Sequence, residues 1–427
     1  MEENVKIYSS WFSGESRSKS DQTGFYSMTN GSPHTELGLY QNNLALASVS
    51  TTPSEPFISE VLSNGDIIMA STTTGKIWKR TAAGVFSLVH TNTNGANKGI
   101  KLWLGYVYYA TTAKLGRIAE ANASSEATWS SQNDSWASFT IAGAYKPMVI
   151  IGSGLYIGDG YYVAVVDSTH TFIADSLDIP SMFTTTVLAD INRNLLVGTI
   201  IGANVGWCMA YLWNRISPSW NNEYRVNDVG MNCFIQGDNI NLLSVGTSGQ
   251  ISYLGSENIL KFKKIKGATT GVNPYNSTIY KGKPLFAVGT KVYSINREDG
   301  DFPYAIVCEY TAPGTIYSII ATVSNIYVSY GTGCATIGAS YASAEIETPQ
   351  AEGSFSSVEV PYESIGTGGT IAISTSVDGG SYSVKTPIVD TVNKKVIFNG
   401  KLGKVNSLMA KITLSGALVK IKGIKFI

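Results

Sequence analysis

The chain of 427 residues balances 31 basic against 31 acidic side chains and is only 15% charged, so its overall charge gives no ground for nucleic acid or an anionic membrane as partner. Gly is abundant at 43 and Tyr leads the aromatics at 24, a mix suited to short turns and aromatic-rich strands. Almost no window carries helical apolar spacing over three turns and none reaches eighteen uninterrupted apolar residues, which excludes a helical bundle and a membrane-spanning helix.

The N-terminus (MEENVKIYSSWFSG) has two acidic residues and no long apolar core, unlike a secretory signal peptide. Residues 1–37 read as an arm: a strand over 4–12, a polar loop over 13–23, and Trp11, Phe12, Phe25 and Tyr26 as candidate anchors on another subunit. The apolar stretch Leu44–Val49 is the candidate strand that closes the last sheet of the array that follows.

Asn64–Asn92 (NGDIIMASTTTGKIWKRTAAGVFSLVHTN) sets the pattern for that array. Asn64-Gly65 is a strong turn dipeptide and predicts a type I′ turn with φ > 0 at both positions. Short β-type runs follow, separated by Gly-bearing turns. The landmark, an apolar run that breaks and resumes, returns at Tyr106, Gly154, Leu195, Ile240, Pro284 and Ile326 after its first appearance at Ile67, 39–48 residues apart. That period is the one of four-stranded propeller blades. Candidate outer strands lie between the landmarks, at 136–141, 171–177, 222–226, 260–265 and 304–310. The expectation over 38–348 is a β-propeller of about seven blades.

Two loops carry tryptophan. Trp129 sits in the polar insertion 122–135 and Trp220 follows Pro218-Ser219, and both are candidates for stacking a sugar or a partner, with a lid folded on the blade edge as the plainer reading. Cys208, Cys233, Cys308 and Cys334 stand singly and read as buried thiols, consistent with assembly in a reducing cytoplasm.

Residues 344–355 (AEIETPQAEGSF) read as a boundary, and 356–427 as a small β-sandwich of six to eight strands. Its expected core face is Ile412, Leu414, Leu418, Val419, Ile421, Ile424 and Ile427. The order S-x-D-G-G, L-G-K-x-N, M-x-K-I-T-L and G-x-x-V-K-I-K-G-I-K occupies Ile371–Gly380, Leu402–Asn406, Leu408–Leu414 and Val419–Ile427. It resembles the C-terminal sandwich of many phage virion proteins that carry a propeller. The resemblance implies a structural component of a tail or neck: a rigid docking disc located in the virion, with neighbouring virion proteins, copies of itself among them, as partners.

Signals for chemistry are sparse. Residues 376–382 (SVDGGSY) also resemble the Asp-box of sialidase-type propellers, a turn device in which Asp378 caps its turn and Gly379 and Gly380 supply φ > 0. His34, His90 and His170 are the only histidines and show no metal-ligand spacing, so neither metal nor cofactor is expected. Asp159, Asp190, Asp228, Asp238, Asp299 and Asp301 lie near predicted turns, where a pair facing across the channel would suit glycoside hydrolysis; as turn caps they need no such role. The reading is therefore a non-enzymatic structural protein. A receptor- or glycan-binding tail protein, with a host surface glycan as ligand, and a propeller glycosidase stand as alternatives.

Overall fold

A computed structural model of the protein describes residues 5–8, 25–33, 38–50, 53–201, 206–237, 240–246, 250–254, 260–264, 275–297 and 304–427. The chain is all-β: seven propeller blades and a C-terminal β-sandwich. Contacts divide it into two compact units, Met1–Ala47 with Lys291–Thr311 and Ile337–Ile427, and Ser48–Thr290 with Ala312–Thr336. No helix among the described residues is long and apolar enough to cross a membrane.

Blade 1 is an antiparallel meander of Phe57–Val61, Ile67–Ser71, Lys76–Arg80 and Phe86–Thr91. Blades 2 to 6 follow over residues 99–138, 148–178, 184–226, 231–264 and 277–311, and blade 7 begins at Ile316. Every sequence landmark is the second strand of its blade: Ile67–Ser71, Tyr106–Ala110, Gly154–Asp159, Asn194–Ile200, Ile240–Gly246, Lys283–Val288 and Ile326–Tyr330. A second strand has neighbouring blades on both faces, so both faces must be apolar; in blade 1 all five of its residues are buried. Ile58, Ile68 and Ile77 of blade 1 pack on Ile100, Val107 and Ile118 of blade 2, and similar clusters follow from blade to blade. Each such side chain contributes about 1.5–3 kcal/mol on burial.

The expected turn at Asn64-Gly65 forms with a different geometry. Gly65 N–H donates to the Leu62 carbonyl at 2.9 Å, and Gly65 alone has positive φ, at 84°. Asn64 instead accepts the Asp66 N–H at 3.0 Å through its side chain, so the loop is one residue longer than the two-residue type. Leu44–Ser50 is the fourth strand of blade 7, in the order Ile316–Ala321, Ile326–Tyr330, Gly333–Tyr341, Leu44–Ser50. Blade 7 meets blade 1 through Ser318 and Ser329, whose hydroxyls donate to the Phe57 carbonyl at 2.9 and 2.8 Å.

The sandwich is built from both ends of the chain. The stretch expected as a boundary is strand: Ala344–Glu347 and Ala351–Ile365 pair with Lys395–Ser415, and Ala344, Ile346, Ala351 and Phe355 lie in the core. The part of the expected arm that is described belongs to the same unit. Lys6–Tyr8 pairs with Ile424–Phe426 and Ser27–Thr29 with Ala344–Glu347, which brings Tyr8, Phe25 and Met28 into the core. Phe25 is therefore packed inside its own chain and not held out as an anchor; half-buried Tyr26 donates its N–H to the Glu347 carbonyl at 2.9 Å. Trp11 and Phe12 lie outside the described residues. Of the expected core face, Ile412, Leu414, Val419, Ile421 and Ile424 are buried, while Phe426 fills the place expected for Ile427.

Candidate functional site

The first strand of every blade borders a cavity of about 210 Å³ in the propeller unit. Blade 1 contributes Ser59 and Glu60, blade 2 Ile100 and Lys101, blade 5 Phe234 and blade 6 Thr278. The first strands stand side by side around the cavity, so consecutive residues such as Ser59 and Glu60, or Ile100 and Lys101, both border it although they alternate across the strand.

Glu60 and Lys101 form an ion pair: Lys101 Nζ lies 2.9 Å from Glu60 Oε1 and 3.2 Å from Oε2. Burial pushes the Glu60 carboxyl up, and Lys101 and the Leu102 N–H offset this only in part, so it stays above its ordinary value. Tyr275 also lines the cavity, with its hydroxyl 3.0 Å from the Lys98 carbonyl and 3.1 Å from that of Lys146. Burial pushes this phenol well above its usual range, so it remains neutral. Gly99 allows the approach: a Cβ there would stand 2.3 Å from the Lys146 carbonyl and 3.0 Å from the Tyr275 hydroxyl.

Among the described residues lining the cavity, Glu60 is the one carboxylate. Of the aspartates considered for a facing pair, the described ones are placed elsewhere. Asp159 is fully buried, bonds Lys146 Nζ and accepts the Thr140 N–H at 2.7 Å. Asp190 accepts the Arg193 N–H at 2.8 Å, Asp228 is buried away from the lining, and Asp238, Asp299 and Asp301 lie outside the described residues. Among the described aspartates, Asp159, Asp190 and Asp228, none lines the cavity to face Glu60 as the second carboxyl that glycoside hydrolysis requires. No group of His, Cys, Asp and Glu among the described residues is placed to hold a metal ion, and the four cysteines are separate and buried.

The two candidate stacking tryptophans are folded inward. Trp129 is 8% exposed, stacks on His90 at 4.9 Å and donates its Nε1–H to the Ala123 carbonyl at 3.1 Å. A ring left in water at a loop tip would forgo that burial, so the insertion curls back and makes it a lid. Trp220 is half-buried, edge-on to Tyr211 at 4.9 Å and packed on the cluster between blades 3 and 4. Asp378 also differs from expectation: positive φ falls on Asp378 and Gly379, at 48° and 77°, and the Asp378 carboxylate accepts the N–H groups of Asn406 and Ser407 at 2.8 and 3.0 Å. It ties its turn to the middle of the facing strand Lys395–Ser415.

Glu60, Lys101 and Tyr275 escape a reading of the sequence. FISEV and GIKLW look like ordinary alternation with the polar residue in water, and only the ring of blades brings Glu60 and Lys101 together beside the cavity.

No protein-family model matches the sequence, and no curated protein matches it. Among solved structures, the extracellular domain of a one-component system from B. thetaiotaomicron is similar over 85% of this chain and 48% of its own, at 9% identity and a TM-score of 0.50. Streptogramin B lyase is similar over 70% of this chain and 97% of its own, at 10% identity and a TM-score of 0.48. The WD40 domain of Neurospora crassa Pan2 is similar over 69% and 94%, at 10% identity and 0.47. At such identities the shared feature is the fold: this chain is an all-β protein of the propeller class that carries a C-terminal β-sandwich.

Proposed function

We propose that the protein is a non-enzymatic structural component of a phage virion, in the tail or neck, that docks neighbouring subunits. The observation that carries the docking role is a set of exposed apolar side chains on the sandwich. Val384, Ile388, Val389 and Val392 are 79%, 62%, 54% and 89% exposed, on the two short strands Ser383–Val384 and Ile388–Asp390 and the turn that follows. Single exposed apolar residues are ordinary, but four within nine positions are a local concentration that water disfavours and a partner surface would cover. Among the described residues, Ile388–Asp390 is also paired on one side only, to Lys395–Ile397, and so offers a strand edge to which another strand can add.

The virion setting rests on the resemblance of 371–427 to phage virion sandwiches. Trp129 and Trp220 are committed to their own blades, so a glycan-stacking role would have to use other side chains. The test is location: antibodies or mass spectrometry should find the chain in purified tails or necks. The double variant Val384→Ser, Val392→Ser should keep its melting temperature and fail to incorporate. Absence of the chain from particles, or full incorporation of that variant, would overturn the proposal.

A further inference from the structure

We infer that the axial cavity of the propeller unit is a binding site for a small zwitterion, an α-amino acid with an apolar side chain. At about 210 Å³ it falls below the roughly 300–1,000 Å³ typical of pockets for drug-sized ligands and suits a smaller molecule. The Glu60 and Lys101 side chains keep contact with solvent, 16% and 32% exposed, so an incoming molecule can reach both.

Each has capacity left. An ammonium has three donors and Lys101 directs at most two to Glu60, while the Glu60 carboxylate accepts more bonds than the pair uses. The Ser59 and Thr278 hydroxyls also line the cavity, and no described residue hydrogen-bonds either one. The rest of the wall is apolar, with Ile100 and Phe234. A ligand that fits this set has a carboxylate for Lys101, an ammonium for Glu60, a short apolar side chain for the wall and no net charge. A monovalent ion would leave one member of the pair with a like charge beside it, and an apolar molecule would leave the hydroxyls unsatisfied.

Calorimetric titration of the full chain with L-leucine, leucine amide and N-acetyl-leucine tests the inference. The amide keeps only the ammonium and the acetyl compound only the carboxylate. Leucine should bind about tenfold or more tightly than either, the loss expected for one charge-assisted hydrogen bond. Lys101→Met should reduce leucine to the affinity of its amide, and Glu60→Gln to that of the acetyl compound. Because breaking the pair can weaken the fold, a second measurement uses the unsubstituted protein: leucine should shift the methyl resonances of Ile100 and leave those of Ile421 in place. No heat at millimolar leucine, equal binding of all three compounds, or methyl shifts without preference for Ile100 would each overturn the inference.

Discussion

His90, Asp134, Tyr109 and Trp129 form one knot that ties the blade 2 insertion to the outer strand of blade 1. Asp134 is fully buried and accepts bonds from His90 Nε2 at 2.7 Å, the Tyr109 hydroxyl at 2.9 Å and the Thr93 N–H at 2.8 Å. Burial pushes its carboxyl up, but the bonds from His90, Thr93 and Tyr109 outweigh that and hold it below its ordinary 3.8. A depressed folded pKa means that these bonds stabilise the protein above the ordinary value, and that the contribution fades as pH falls from there through the folded pKa. Asp134→Asn should therefore cost about 1–3 kcal/mol at neutral pH. In urea titrations the gap to the parent protein should narrow as pH drops below 3.8; a gap independent of pH would show that the carboxylate charge is irrelevant. Trp129→Ala removes a stacked, hydrogen-bonded ring and should cost about 3–5 kcal/mol. A variant as stable as the parent but deficient in binding a glycan would mean that the ring serves a ligand instead.

Among elements, the second and fourth strands of the blades were legible and the first strands' role was not. A strand covered on both faces is an unbroken apolar run, such as Ile67–Ser71, and stands out without knowledge of its neighbours. Asn222–Val226 and Tyr304–Thr311 likewise announce themselves between Gly- and Asn-bearing turns. Lys395–Ser415 reads as two strands because NGKLGK mimics a turn, yet it runs unbroken for 21 residues. It takes up the irregularity itself as bulges against Ala351–Ile365, with extra residues between Val405 and Leu408 and between Asn399 and Gly403, where the register shifts. Leu44–Ser50 was legible as the closing strand, and its seat is tight. Ser48 Oγ lies 2.7 Å from the Tyr330 hydroxyl, and a Cβ on Gly333 would stand 2.4 Å from the Ser50 carbonyl, a backbone atom that cannot swing aside. Gly333→Ala should push the closing strand outward and cost about 1–3 kcal/mol. Hydrogen exchange should quicken first at residues 44–50; uniform loss of protection across all blades would argue against a local displacement.

At the scale of the whole chain, the sandwich shows what a window-by-window reading cannot reach. Its C-terminal strands carry a clear apolar face, but Tyr8, Phe25, Met28 and Tyr40 come from segments too short and too polar to show any period. Their partners, such as Ile346 across from Met28, lie more than 300 positions away. Neither segment can bury its apolar residues alone, and loop closure over such a distance adds only slowly to the cost of joining them. Removing the first 355 residues would strip Tyr8, Phe25, Met28, Tyr40, Ile346 and Phe355 from the core, at about 1.5–3 kcal/mol for each side chain. The sum, about 9–18 kcal/mol, is as large as the roughly 5–15 kcal/mol by which a whole domain is stable. Residues 356–427 expressed alone should therefore lack dispersed amide resonances and show no cooperative transition in urea. A dispersed spectrum with a sharp transition would mean that the C-terminal strands suffice for the sandwich and that the N-terminal ones are an addition to its edge.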